Sequence, residues 1–317
     1  MSEASLQLPK EKAVKATKRK YPLKTNVALY LLLLPTIGSL FLFNYIPMYG
    51  IIIAFEKYSV YKGILHSEWV GFEHFRYFLT DEKFWSVMRN TILINLYDLV
   101  FGFTAPIVFA LLANELYSKV FKRTVQTISY LPHFLSWVVV AGVVYQFLSP
   151  TSGLLNQVLH SWFGIEPIYF MTEKALFKPI VVIVDIWKGV GWSAILYFAV
   201  IAGIDKHLYE AAWIDGASRF KQVIYVTLPG MYPMIVLLFL LRLSSMFGIG
   251  FERIFVLQNP TLYDVSEVVS TYVYRLGLEK AQFSLTTAIG LTESVLGFLL
   301  LLSANKLAKK WVGLGLY

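Results

Sequence analysis

Cysteine is absent from all 317 residues. That excludes disulfides, thiolate metal sites and a cysteine nucleophile, and it leaves the redox compartment unreadable. Charge is also scarce: Asp, Glu, Lys and Arg make up 15% of the chain, against about 25% in an ordinary soluble domain. No Gly-x-x-x-x-Gly-Lys-Ser/Thr loop occurs, so the chain does not itself cradle nucleotide phosphates. The five histidines (His66, His74, His133, His160, His207) show no His-Glu-x-x-His spacing, and there is no Gly-x-Ser-x-Gly elbow. Catalysis, a bound metal and a cofactor are therefore not expected in this chain.

What is present is apolar sequence. Hydrophobic residues make up 57% of the chain, in blocks long enough to cross a bilayer, which takes roughly 20 residues each. Hydropathy places six spans at about 27–49, 88–113, 123–148, 178–204, 231–250 and 283–304. The expected fold is an all-α integral membrane protein: a polar, basic tail over residues 1–26, then one transmembrane domain over 27–317. The tail carries seven Lys/Arg and is read as solvated, with a surface-lying amphipathic helix as the alternative. The apolar run after it is too long for the core of a cleaved signal peptide.

The net charge of +8 could suggest nucleic acid, but the placement of the cations argues for topology instead. With the N-terminus inside, segments 1–26, 114–123, 205–230 and 305–317 carry 16 Lys/Arg. The longer outer segments, 50–90, 149–178 and 251–282, carry 10. Both termini are thus expected in the cytoplasm. The outer connections are rich in aromatics. Trp69 to Arg89 suits short interfacial helices, and Val268 to Leu278, too short to span, suits a segment dipping into the protein.

One stretch differs from every other connection: Glu210 to Gly230, EAAWIDGASRFKQVIYVTLPG, between the fourth and fifth spans. Glu210, Ala211 and Ala212 are placed to end one helix. Asp215-Gly216 supplies a turn, with Asp215 positioned to cap the helix after it. Leu228-Pro229 is expected to stop that second helix, because proline lacks the amide hydrogen. The reading is a compact cytoplasmic helix-turn-helix, a handle for another protein.

Five charged residues lie well inside the spans: Asp98, Asp185, Lys188, Arg242 and Glu293. An unpaired charge at the bilayer centre costs at least about 2.5–3.5 kcal/mol, so each needs a partner or a watery path. Asp185 and Lys188, three apart, share a helix face and either neutralise each other or line a pathway. Arg242 and Glu293 are expected to pair across two helices. Asp98 has no evident partner and is expected near an interface or against another subunit. Trp187, Trp192 and Tyr197 fall among glycines of the fourth span and offer faces for stacking sugar rings, or pack against neighbours and lipid. With Tyr145, Lys188, Arg242 and Glu293 they form the candidate substrate pathway.

The spacing of Glu210-Ala211-Ala212, Asp215-Gly216-Ala217 and Leu228-Pro229 resembles the EAA loop of binding-protein-dependent ABC importer permeases. Val223 and Val226 depart from it where many sugar permeases have Phe and Ile, though both stay apolar. The stretches at 31–55, 70–79, 101–116, 250–278 and 312–317 resemble the oligosaccharide and polysaccharide branch of the maltose-type permeases, which includes alginate permeases. The resemblance implies that the loop is a coupling helix docking on an ATPase, with Glu210 meeting a basic residue there. It also implies a second related permease in a heterodimer, two ATP-binding subunits that hold ATP and Mg, and an extracellular or periplasmic solute-binding protein. The setting would be the bacterial cytoplasmic membrane, and the substrate an oligosaccharide. A permease for amino acids, peptides or anions, or a membrane enzyme or scaffold, are the competing readings.

Overall fold

The computed structural model describes residues 23–244, 246–248, 250–313 and 315; most of the basic tail, with its possible amphipathic helix, lies outside them. The chain divides into two units, Met1–Ile51 and Ile52–Tyr317. The first contains α1 (Leu23–Leu40), whose leucine run continues without a break through a π turn at Phe41–Tyr45 into Ile46–Met48. Pro35 sits inside α1, where the bilayer setting tolerates it.

The second unit carries a two-stranded hairpin, β1 (Glu56–Lys57) against β2 (Glu68–Trp69), and the short helix α2 (Glu73–Thr80). A long helical span follows: α3 (Glu82–Tyr97), a π turn at Asp98–Gly102, then α4 (Phe103–Asn114). Next come α5 (Lys119–Tyr130), α6 (Trp137–Phe147), α7 (Leu154–Phe163) and the 30-residue α8 (Lys174–Gly203). The polar insert holds α9 (Lys206–Ile214) and α10 (Arg219–Gln222), after which a π turn at Val223–Thr227 leads into α11 (Leu228–Ser244). Three short helices, α12 (Phe251–Leu257), α13 (Tyr263–Ser266) and α14 (Val269–Tyr274), precede the last span, α15 (Phe283–Val312).

Helix starts are set by side chains that accept from otherwise orphaned amides. Asp81 accepts from the Lys83 amide at 2.9 Å, Ser118 from Phe121 at 3.2 Å, Ser136 from Val139 at 3.3 Å and Asp205 from His207 at 3.0 Å. Among the described residues five helices are long and apolar enough to cross a membrane, and α5 with α6 makes a sixth if that bent pair is one span. The pair turns by 105° at Leu135–Ser136, both extended, just after a 3-10 turn at Leu131–Phe134 that holds Pro132. The run 123–148, which hydropathy gives as one span, is therefore not one straight helix.

Helices approach closely where residues are small, as expected without a hydrophobic drive between them in lipid. Ala110 and Ala194 are fully buried where α4 and α8 meet, with Met231 of α11 packed over them. At Gly191 a Cβ would lie 2.6 Å from Ser129 Oγ and closer still to the Ser129 carbonyl, so only glycine lets α8 cross α5 there.

The connection 251–282 is a folded layer. Val268, Val269 and Thr271 are buried, so the segment expected to dip into the protein does so. Polar side chains pin it to the spans. Asn90 of α3 donates to the Asp264 carbonyl at 2.9 Å, Thr91 accepts from the Val269 amide at 2.9 Å, and Asn259 donates to the Met171 carbonyl at 2.8 Å. Asn156 of α7 does the same for the preceding connection: it donates to the Ser149 and Ile168 carbonyls and accepts from the Ile168 amide.

Candidate functional site

The polar insert forms a helical hairpin, α9 and α10, joined at Gly216, whose φ of +75° is the left-handed conformation that favours glycine. Gly216 donates to the Trp213 carbonyl at 3.0 Å and Ala217 to the Ala212 carbonyl at 2.9 Å, which closes α9. Three details differ from the expected loop. Helix α9 runs past Glu210-Ala211-Ala212 to Ile214. Asp215 ends α9 instead of capping α10; Ser218 is the cap, accepting from the Lys221 amide at 3.4 Å. Leu228-Pro229 does not stop the second helix. The π turn at Val223–Thr227 carries the chain into α11 without interruption, because the widened turn directly before Pro229 accommodates the amide hydrogen that proline lacks.

Inside the hairpin, the Tyr209 hydroxyl lies 2.9 Å from Thr227 Oγ1, and Gln222 donates to the Ala217 carbonyl at 3.1 Å. Gly230 lies against Ile204 at the end of α8, where a Cβ would come within 2.7 Å of Ile204 Cδ1. Arg219 reaches Glu115 at 3.6 Å and sits over the Tyr117 ring at 4.1 Å, fastening the hairpin to the end of α4. The outer face is unsatisfied: Trp213, Ile214 and Phe220 are 74%, 78% and 73% exposed. Glu210 stands in the open with His207 Nδ1 at 3.1 Å. A cavity of about 1110 Å3 opens beside it, lined by Glu115, Lys122, Glu210, Trp213 and Arg219 among others.

A second cavity, about 580 Å3, lies between α4, α8 and α11. Trp192, Tyr197 and Arg242 of the candidate pathway line it, together with Asp185, Phe103, Pro106 and the glycines Gly102 and Gly189. Trp192 stacks on His133 with ring centroids 4.5 Å apart and planes 2° from parallel. The other pathway residues lie elsewhere. Lys188 does not pair with Asp185; its ammonium donates to the His133 carbonyl at 2.7 Å and lies 5.4 Å from the Trp137 ring, placing a cation at the broken helix end of the α5–α6 bend. Trp187 is half exposed and outside the lining. Tyr145 donates to the Leu257 carbonyl at 3.0 Å. Glu293 has one carboxylate oxygen, Oε1, buried without a hydrogen-bond partner among the described residues.

The residue that sequence reasoning assigned to an outer loop is Arg253. From α12 it pairs with Asp98 and, through Nη1 at 2.9 Å, with Asp185. Arg242 adds a longer contact to Asp98 at 3.7 Å, so Arg242 turns to Asp98 and not to Glu293. Asp98 is 1% exposed inside this chain and needs no other subunit to shield it. The π turn at Asp98–Gly102 interrupts the regular helix at that point. The one available signal for Arg253 was the apolar spacing of Phe251, Ile254, Phe255 and Leu257 around it, which marks a buried short helix.

A model of the family described as "binding-protein-dependent transport system inner membrane component" matches residues 102–312. The protein YteP of Bacillus subtilis, named a polygalacturonan/rhamnogalacturonan transport system permease, is 41% identical over all of both chains. LplB of the same organism is 40% identical over 93% of this chain and 92% of its own. A chain from the crystal structure of a bacterial alginate ABC transporter, in complex with its alginate pentasaccharide-bound periplasmic protein, superposes with a TM-score of 0.85. It is 40% identical and covers 93% of this chain and 98% of that one. A chain from a structure of an ABC transporter importing the acidic polysaccharide alginate gives 0.84 at 41% identity, over 91% and 97%. With an all-α membrane fold and an exposed helical hairpin between its long apolar helices, this chain belongs to the family of binding-protein-dependent transport system inner membrane components, the permease subunits of ABC importers.

Proposed function

We propose that this chain forms half of the translocation pathway of an ATP-driven importer for oligosaccharides, coupled to a cytoplasmic ATPase through α9 and α10. The observation that carries the reading is the hairpin's outer face. Trp213, Ile214 and Phe220 project beside Glu210, while hydrogen bonds and the Arg219–Glu115 pair hold the hairpin as a rigid unit. A rigid, half-apolar helix that fits a groove transmits motion better than a flexible loop. The Lys/Arg excess that the sequence carries in the segment 205–230 and its companion inner segments supports a cytoplasmic hairpin. ATP and Mg would be held by two ATPase subunits docked there, and Glu210 would meet a basic group on one of them. A related permease would supply the other half of the pathway, and a solute-binding protein would deliver the sugar to the opposite face. The relatives named for polygalacturonan, rhamnogalacturonan and alginate support a saccharide substrate.

Within the membrane, the cavity between α4, α8 and α11 is the part of the pathway this chain contributes. Trp192 and Tyr197 would offer ring faces to sugar C–H patches, and Arg242 and Asp185 would bond hydroxyls. Alternating access would move the site between faces without chemistry on the substrate. The test reconstitutes this chain with its partner permease, ATPase and binding protein, then compares wild type with Glu210→Ala. Assembly should survive in the variant while saccharide-stimulated ATP hydrolysis falls. Normal stimulation at normal protein levels would overturn the coupling role.

A further inference from the structure

Helices α3 and α4 run from Glu82 to Asn114, and Glu115 beyond them pairs with the hairpin's Arg219. The start of α3 therefore lies at the opposite end of the span. There a cup of about 310 Å3 opens between α3, α13, α14 and the turn after α14. Lys83, Arg275 and Lys280 line it together with Tyr263, Tyr272 and a single carboxylate, Glu267.

The carboxylate holds the cations in position and leaves the cup positive. Glu267 is 2% exposed, and both of its oxygens are committed: Oε2 to Lys83 at 2.8 Å and Oε1 to Arg275. Its own carbonyl is fixed by the Asn90 side chain at 3.2 Å. Lys83 keeps 45% of its side chain exposed, and Lys280 is exposed at the rim. Three cations against one buried carboxylate leave the lining two charges positive, and Asp81 behind Tyr272 offsets one of them. The Arg275 guanidinium lies 3.9 Å from the Tyr263 ring centroid, a geometry that braces the planar fork. The Tyr272 hydroxyl donates to Asp81 at 3.2 Å; burial, and after it that carboxylate, push the phenol up, so it stays protonated.

We propose that this cup is a binding subsite for a carboxylate-bearing sugar unit, holding one uronate of an oligosaccharide at the extracytoplasmic mouth before it enters the membrane. The proposal rests on the saccharide-importer reading above. A guanidinium fork matches a carboxylate, and tyrosine rings match the C–H face of a pyranose. A small inorganic anion would use the first feature and leave the second idle. Arg275, only 21% exposed, is recessed, which suits a ligand that enters the cup over a protein laid across its rim.

The test uses the assembled transporter in nanodiscs without ATP and measures binding of trigalacturonate and of its carboxyl-reduced neutral counterpart. Lys280→Gln, which breaks no contact in the cup, should weaken trigalacturonate binding by about two- to fivefold and leave the neutral probe unchanged. Arg275→Lys keeps a cation beside Glu267 and should lose affinity for the same probe while binding of the neutral probe is unchanged. Equal shifts for both probes, or none, would overturn the subsite. So would a loss confined to affinity for the solute-binding protein, which would make the cup a protein-docking surface. Because binding is read without transport, failure of saccharide uptake would strike the importer reading and leave this result standing.

Discussion

Arg253 Nη1 lies 2.9 Å from Asp185 on α8, and the same guanidinium grips Asp98 on the span opposite. One arginine from a short helix of the 251–282 layer thus joins two membrane spans. With Arg242 near Asp98, two cations face two carboxylates and the cluster is neutral. The arrangement explains how Asp98 can be fully buried at membrane depth, where a lone charge would be costly.

Removing that arginine should therefore damage the protein more than most substitutions do. Arg253→Leu leaves two carboxylates facing each other, and breaking a buried pair costs about 3–5 kcal/mol. The expected result is a marked fall in melting temperature in detergent, read by size exclusion after heating. Asp98→Asn combined with Arg253→Gln should recover much of the loss. A single variant that melts with the wild type would show that the cluster carries no stability.

The hydrogen bond between Tyr209 and Thr227 ties the two arms of the α9–α10 hairpin. Tyr209→Phe removes it and leaves the Thr227 hydroxyl unpaired at 1% exposure, a cost of about 1–3 kcal/mol borne locally. Assembly with the ATPase should persist while binding-protein-stimulated ATP hydrolysis drops. Unchanged stimulation would mean that the hairpin does not need this tie.

Two glycines of α8 should respond in opposite ways. Gly191→Val drives a side chain into the Ser129 backbone and should cost at least about 1–3 kcal/mol, by overpacking. A Cβ on Gly189 meets nothing within 4 Å, so Gly189→Ala should be nearly neutral or slightly stabilising. Melting temperatures of the two purified variants check the contrast.

Trp192 lines the membrane cavity and stacks on His133, whereas Trp187 stands outside the lining. Trp192→Ala should raise the apparent KM for saccharide uptake by about two- to tenfold, the worth of one aromatic contact. Trp187→Ala should leave it near wild type. Equal effects of the two changes would remove the cavity from the pathway.

Much of this protein was legible in its residues because the forces involved act locally. A bilayer leaves the backbone few choices, so apolar blocks of sufficient length announce helices whatever their partners. The hairpin turn was readable for the same reason: Asp215-Gly216 needs a positive φ and Gly216 provides one. Capping was read less well, since Asp215 and Ser218 are both able caps and only the path of the chain selects Ser218. The end of α10 was misread at Pro229, because the π turn before it accommodates the missing amide hydrogen and keeps the helix running.

The pairing of charges was beyond the sequence. Asp185 and Lys188 share a helix face, yet Arg253, far along the chain, takes the carboxylate, and the 3-10 turn at Leu131–Phe134 takes the ammonium. Arg242 met Asp98 in place of Glu293 for the same cause. Local pattern determined the membrane class, the helices and the exposed α9–α10 hairpin, because each depends on neighbours a few residues apart. The tertiary structure alone decided which charges meet and where the cavities open, because those depend on how helices distant in sequence cross.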